Sequence, residues 1–400
     1  MLKCFFVCVL VGAFVMLAGC RHPPVARPTT TPAPEPIVVR QESRFHNDPQ
    51  MAIEDLAERL FNALQSHPRP QQIIVPVDDF FSAQSAEVSA SGRMLQRQLA
   101  SVLSQRLSPL QFSPLSSKNV GNAQWLVLAN YKTLKPGETA TAGTWVRLQV
   151  ALANTETGET LAKAETYLDT KQFNSGPTRF FKDAPMFMTD DRHREKLAVM
   201  AGEKHPLSQS IQVQALFADA ISDYESDRLE EAVKGFSGVH GVARDHPGAL
   251  AGLYQSTWRL GRRNEAEQAF SKLVAVGLDA GTLSFKLLFK VGSTDFIDNA
   301  DLSTQYRLWL RAVAEGAVAK RKCVDVTGHA SKSGTAEMNN RLSLQRAERV
   351  VAQLAQVSPA TRGKFRAHGK GFEQTIVGTG VDDASDAIDR RVEFTVKPCP

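Results

Sequence analysis

The chain has 400 residues, 42% hydrophobic and 22% charged, an ordinary balance for folded globular material and enough length for two or three domains. The formal net charge of +5 is small for that size and is carried partly by the first few dozen residues, so nucleic-acid binding is not indicated. After residue 20 no stretch is long and apolar enough to span a bilayer.

Met1 and Lys3 open the chain with a positive start, and Cys4 to Leu17 is an apolar run broken only by Gly12. The run is shorter than the ~20 residues of a spanning helix and reads as a signal-peptide core. It ends in Leu17-Ala18-Gly19-Cys20, which resembles the lipobox of bacterial lipoproteins. That resemblance implies cleavage before Cys20 and a diacylated (palmitate-type) thiol there. An ordinary signal peptide with an incidental Cys20 is the alternative. Several acyl chains anchor stably, since each buried CH₂ contributes roughly 0.8 kcal/mol. Arg21 follows, where an Asp would resemble an inner-membrane retention signal, so the implied address is the outer membrane, lipid-anchored and facing the periplasm.

Pro23, Pro24, Pro28, Pro32, Pro34 and Pro36 stand among Thr and Ala, so residues 21–50 read as a semi-rigid tether. Ile53, Leu56, Ala57, Leu60, Phe61 and Leu64 carry helical spacing and predict an amphipathic helix. A buried strand is expected over Gln72–Val77 and a helix over Gly92–Leu107. Further strands are expected over Gln124–Tyr131, Thr144–Asn154 and Thr160–Tyr167, the last two joined by a turn at Thr157-Gly158-Glu159. The order of these elements, with Ser91-Gly92-Arg93 and Thr157-Gly158, resembles the FlgO-like and CsgG-N-like lipoprotein domains and assigns residues 51–173 to an α/β sandwich. Asp78-Asp79 reads as a solvated turn or helix cap, because adjacent residues of an extended chain point to opposite faces.

Residues 174–206 read as an irregular linker with Pro177, Pro185, Phe180-Phe181 and Phe187, and their charged run Asp190 to Glu195 as a solvated helix face. Tyr224, Ala232 and Phe236 recur 34 positions on as Trp258, Ala266 and Phe270, as Leu216 does as Leu250. A 34-residue period of bulky aromatic, Ala, then Phe resembles the tetratricopeptide helix pair and assigns residues 207–281 to such repeats, whose concave face is the expected surface for a protein partner.

Residues 282–400 carry strand signals at Leu283–Phe289, Cys323–Gly328, Lys364–His368 and Arg391–Val396, with helices over Tyr306–Ala319 and Glu337–Gln356. Gly328-His329-Ala330-Ser331, Asn339, Leu342-Ser343-Leu344-Gln345-Arg346-Ala347, Gly369-Lys370-Gly371 and Arg390-Arg391-Val392-Glu393-Phe394 follow in order. They resemble the OmpA-like peptidoglycan-binding domain. The resemblance implies a ligand, the diaminopimelate stem of the cell wall, held by the residues at Ser331, Asn339, Ser343, Arg346 and Arg391. Arg346 stands where the family has its carboxylate-binding arginine, and Ser331 where it has an aspartate. A serine there brings no charge for the stem's ammonium and supports only a neutral hydrogen bond. In the residues' own terms, Asn339, Ser343 and Arg346 share one face of a long helix.

Cys4 and Cys8 leave with the signal peptide, and Cys323 and Cys399 remain as an even pair in an oxidising compartment. A disulfide between them is expected, closing a loop of about 75 residues worth roughly 4 kcal/mol; two free thiols is the alternative. No nucleophile–base constellation or metal-ligand spacing is present in the sequence, so neither a wall-cleaving enzyme nor a cofactor or metal is expected. The whole reads as an α+β multidomain chain: N-terminal α/β sandwich, central tetratricopeptide-like helices and C-terminal OmpA-like α/β sandwich. Its expected role is a non-enzymatic outer-membrane lipoprotein docked on peptidoglycan with a further protein partner. The alternative is an assembly or regulatory scaffold of an envelope machine (flagellar, secretion or cell-wall synthesis) with little wall binding.

Overall fold

The computed structural model describes residues 45–399 apart from 66, 69, 72, 135, 136, 140, 188 and 376–388, so the expected signal peptide, Cys20 and most of the expected tether lie outside the described residues. The fold is α+β, with two separate sheets. Folded structure starts before residue 51. Strand β1 (Phe45–His46) pairs in parallel with Tyr167 and Leu168, and Phe45 packs on Tyr167 and Trp145 with ring centroids 4.8 Å away in each case.

The first sheet contains β2 (Ile74–Ser82), β3 (Gln111–Pro114), β4 (Trp125–Thr133), β5 (Trp145–Asn154) and β6 (Thr160–Asp169) in the order β1-β6-β5-β4-β2-β3. Helices α1 (Pro49–Leu64) and α2 (Ala90–Arg106) cover one face. Period-two alternation explains the layering. Trp125, Val127, Ala129 and Tyr131 of β4 join Leu56, Leu60, Leu95 and Leu99 on that face. Leu126 and Leu128 point the other way, to Val199, Ile211 and Ala215 of two later helices. A strand buried on both faces reads as a continuous apolar run, as β4 does. Strands β1 and β3 have two and four residues, too few to print a pattern in sequence.

Strand β2 runs past the expected end at Val77 and takes in Asp78 and Asp79, which are therefore not a solvated turn. Its register shifts between Val77 and Phe80, and each carboxylate finds a cation: Lys196 at 2.8 Å from Asp78, Arg93 at 3.1 Å from Asp79. Residues 174–206 also differ from the expected linker. They form α3 (Arg179–Asp183) and α4 (Asp191–Ala201), because Asp190 caps α4 through the His193 amide and Phe180 and Phe181 are buried. The charged run is helical as expected, but His193 turns inward and its Nε2 lies 3.2 Å from the Ala83 carbonyl.

Two helical hairpins follow, α5 (Ser208–Glu225) with α6 (Leu229–Val242) and α7 (Pro247–Arg259) with α8 (Arg263–Ala280). The 34-residue period is present in the backbone itself. Asp227 and Gly261 hold equivalent inter-helix positions at φ of 60° and 76°. Tyr224 and Trp258, however, are covered. Phe180 of α3 packs on Tyr224 and Phe236, while Trp258 Nε1 donates to Asp301 and Tyr254 bonds Gln305 and Trp309. The aromatic side of the hairpins is thus the seat of the flanking elements and not an open partner surface.

The second sheet has the order β7-β10-β8-β9, from β7 (Thr282–Phe285), β8 (Cys323–Gly328), β9 (Phe365–Gly369) and β10 (Val392–Lys397), with α10 (Ala336–Val357) packed on it and α9 (Ala300–Ala319) packed on α8 and α10, its Trp309 stacking on Phe285 of β7. Strand β10 is antiparallel to both β7 and β8, and β8 is parallel to β9. The expected strand over Leu283–Phe289 stops at Phe285; Phe289 makes only an isolated bridge to Phe296. Cys323 and Cys399 form the expected disulfide, with Cα atoms 5.0 Å apart. Among the described residues no helix is long and apolar enough to cross a membrane.

Candidate functional site

The end of β8, the start of α10 and the loop after β7 meet at one groove, and the chain brings them together through glycines and one serine. A Cβ on Gly328 would lie 2.0 Å from the Ser343 carbonyl oxygen, so β8 and α10 approach as closely as they do only because no side chain intervenes. Ser343 Oγ donates to the Asn340 carbonyl and accepts from the Gly371 amide, both at 2.9 Å, which ties the turn after β9 to α10. The Gly371 carbonyl in turn takes the Ala330 amide at 2.8 Å, and the Arg391 carbonyl takes that of His329 at 3.0 Å. Ser331 is thereby held at the mouth of the groove, largely buried. Gly328→Ala is expected to lower folding stability by about 1–3 kcal/mol through overpacking against backbone, read as a shift of the urea midpoint.

Thr335 caps α10 by accepting the Met338 amide, and Asn339 Nδ2 donates to the Ser333 and Thr335 carbonyls at 2.6 and 3.1 Å, closing the loop before the helix. One turn further from Ser343, Arg346 is only 1% exposed. Its Nε donates to the Ser293 carbonyl at 3.0 Å and its Nη2 to the Lys290 carbonyl at 3.1 Å. The guanidinium lies 5.0 Å from the Phe289 ring. The expected single face of Asn339, Ser343 and Arg346 is present, and all three are buried.

The groove encloses about 840 Å³, open solvent included, and Ser331, Asn339 and Arg346 line it. Ser343 does not, because its hydroxyl is committed to Gly371, and Arg391 does not either. Arg391 turns to Glu393 at 2.7 Å and to the Gln374 carbonyl at 3.0 Å, while its neighbour Arg390 lines the groove. Consecutive residues of an extended segment face opposite ways, and the sequence motif does not say which of two arginines faces in. Arg341 and Gln345 also line the groove. Their i, i+4 spacing on α10 was the available signal for that pair.

Behind the groove, His329 Nε2 stands 3.4 Å from Glu393 Oε2 at ion-pair but not hydrogen-bonding geometry. Burial lowers the imidazole's pKa despite the opposing pull of Glu393. Burial alone would raise Glu393, but His329 and Arg391 outweigh it and bring the carboxyl down to about 2. Both shifts have the same sign in stability. The unfolded chain takes up protons that the folded chain refuses, beginning below about 6.5 for His329 and about 4.5 for Glu393, so stability falls as pH falls toward about 2. Glu393→Gln is expected to flatten the loss between about pH 4.5 and pH 2, where Glu393 itself titrates, and to steepen it above that, where His329 loses its opposing pull, measured as urea midpoints beside the wild type. An unchanged slope would show that the pair carries none of it.

Arg341, Arg346 and Arg390 and the Ser331 hydroxyl all line the groove, and the guanidinium is a group that pairs with carboxylates through forked hydrogen bonds. Among the described residues no group of three or more His, Cys, Asp or Glu is placed to hold a metal ion.

A sheet of this order with α10 across it makes an α/β domain with a groove at the amino-terminal end of α10. Residues 288–388 match the OmpA family, so the carboxy-terminal part of the chain is an OmpA-family domain. No curated protein matches the chain. Among solved structures, the chain is similar to the peptidoglycan-associated lipoprotein from Burkholderia pseudomallei, at 26% identity and a TM-score of 0.24 over 28% of this chain and 88% of that one. It is also similar to the cell wall anchor of the T6SS from Pseudomonas aeruginosa, at 26% identity and 0.24 over 29% and 79%. A third similarity is to the periplasmic domain of Helicobacter pylori MotB, at 21% identity and 0.23 over 29% and 74%.

Proposed function

We propose that the chain is a non-enzymatic lipoprotein of the outer membrane, facing the periplasm, that holds peptidoglycan non-covalently through the groove beside α10. The observation that carries this reading is the convergence of Ser331, Asn339 and Arg346 on one groove of an OmpA-family domain. The lipobox at Leu17 to Cys20 supports the anchor, and the acyl chains would hold one end of the molecule while the groove holds the wall. The helical hairpins α5–α8, tetratricopeptide-like in period, serve a protein partner through their outer side, where Val242 is 67% exposed.

Two measurements test this together. The full chain in detergent should co-sediment with purified sacculi, and Cys20→Ala should move the protein from the membrane to the soluble fraction. Retention at the background of an unrelated protein would remove the wall-binding reading, and an unchanged membrane fraction would remove the anchor.

The second reading, a scaffold of an envelope machine with little wall binding, draws on one observation. The Arg346 guanidinium already bonds the Lys290 and Ser293 carbonyls, as a purely structural arginine would.

A further inference from the structure

The strands of the second sheet carry different surfaces at their two ends. Gly328, Gly369 and Val392 lie side by side at the groove end. At the other end Lys397 lies opposite Cys323, and the Val324 amide donates to the Lys364 carbonyl at 2.8 Å. Strand β8 has 6 residues, so roughly 16 Å separates the two ends. The far end is basic. Arg321 and Lys322 lie in the turn from α9 into β8, Arg362 and Lys364 lead into β9, and Lys397 closes β10. The Cys323–Cys399 disulfide draws these segments together, with Cys399 Sγ 3.6 Å from the Arg321 carbonyl oxygen. Arg321, Arg362 and Lys397 are exposed, Lys322 and Lys364 half-buried. Among the described residues none of these five cations stands in an ion pair, whereas Asp279 already holds Lys320 at 2.7 Å and Asp325 holds His368 at 3.3 Å. Beside them α10 ends at Val357, 41% exposed, and the turn Pro359–Thr361 carries on to Arg362. Lysine and arginine around an apolar tip suit an anionic lipid interface, where each cation near the headgroups strengthens binding about fivefold.

Resting on the anchored, wall-binding reading above, we propose that this basic end docks on the anionic phospholipid surface of the membrane that the anchor enters, with the groove turned to the wall. Charge complementarity selects the partner. The exposed Val357 favours lipid over the wall, the other polyanion within reach, because the wall offers no apolar boundary to receive it.

The chain from Arg21 onward holds every described element, so it tests the surface without acyl chains or the apolar run Cys4 to Leu17. It is expected to bind phosphatidylglycerol vesicles at least about tenfold more tightly than phosphatidylcholine vesicles, and high salt should weaken the preference. Arg362→Gln, Lys364→Gln and Lys397→Gln together are expected to lower phosphatidylglycerol binding about thirtyfold to a hundredfold. Arg97→Gln, Arg106→Gln and Lys118→Gln together remove the same charge from exposed sites around the first sheet, and are expected to change it less than about threefold. Urea midpoints check that both variants fold; should the first not, Lys397→Glu alone, at an exposed strand end, is expected to cost about tenfold. Equal binding to the two lipids, or equal losses in the two triple variants, would overturn the proposal. So would a first variant that loses retention on sacculi while wild type ignores the vesicles, which would assign this end to the wall. If the vesicle preference fails while sacculi retain the chain, this inference falls and the wall-binding reading stands; a vesicle preference without sacculus retention does the reverse.

Discussion

Replacing Arg346 by alanine is expected to abolish retention on sacculi and to cost about 2–5 kcal/mol of folding stability. The two losses have separate causes. Binding fails because a charge-assisted partner at a ligand site is gone, a change that typically costs on the order of 2–5 kcal/mol. Stability falls because the Lys290 and Ser293 carbonyls lose their donors, at roughly 1–3 kcal/mol for each group left buried and unsatisfied. The stacking of the guanidinium over Phe289 is lost as well. Arg346→Lys separates the two causes. It keeps a charge in the groove but not the planar fork that reaches both carbonyls and a ligand together. Partial sacculus retention by Arg346→Lys, with a lowered urea midpoint, would show that the arginine serves the ligand and the loop at once. Full retention by Arg346→Ala would leave the groove as scaffold and sink the wall-binding role.

The second large effect is expected from the disulfide. Reduction, or Cys323→Ser, should lower the stability of the second sheet's domain by roughly 4 kcal/mol, the chain-entropy figure for a closed loop of 76 residues. The bond joins the first residue of β8 to the chain just beyond β10, where Lys397 already pairs with Cys323 in register. It therefore holds together two strands whose alignment sets Arg390 beside the groove. Thermal unfolding with and without reductant measures the effect, and Cys323→Ser should respond to reductant no further. A wild-type midpoint indifferent to reductant would show that strand pairing alone suffices.

Much of this was legible before any coordinates. The pairing of Cys323 with Cys399 was expected from their being an even pair beside strands, and it forms; the expected lipobox and most of the proline tether lie outside the described residues. The helices α1, α2 and α10 follow from the spacing of their apolar faces, as does the helical part of the 34-residue period. Phe180 and Phe181 were misread as part of a linker because a five-residue helix cannot show a period; what orders them is burial against Tyr224 and Phe236.

Within the groove, the order of motifs in sequence determined which helix face carries Asn339, Ser343 and Arg346, since helical spacing depends on chain position alone. The close backbone approach at Gly328 and Gly369 is not read from their motifs and is visible only in the structure. Tertiary structure alone decided that Ser343 is consumed by the Gly371 amide, that Arg390 and not Arg391 enters the groove, and that Tyr224 and Trp258 are covered. The physical reason is common to all three. Local spacing says which way a side chain points from its own element, but what stands opposite it is set by another element arriving from tens of residues away.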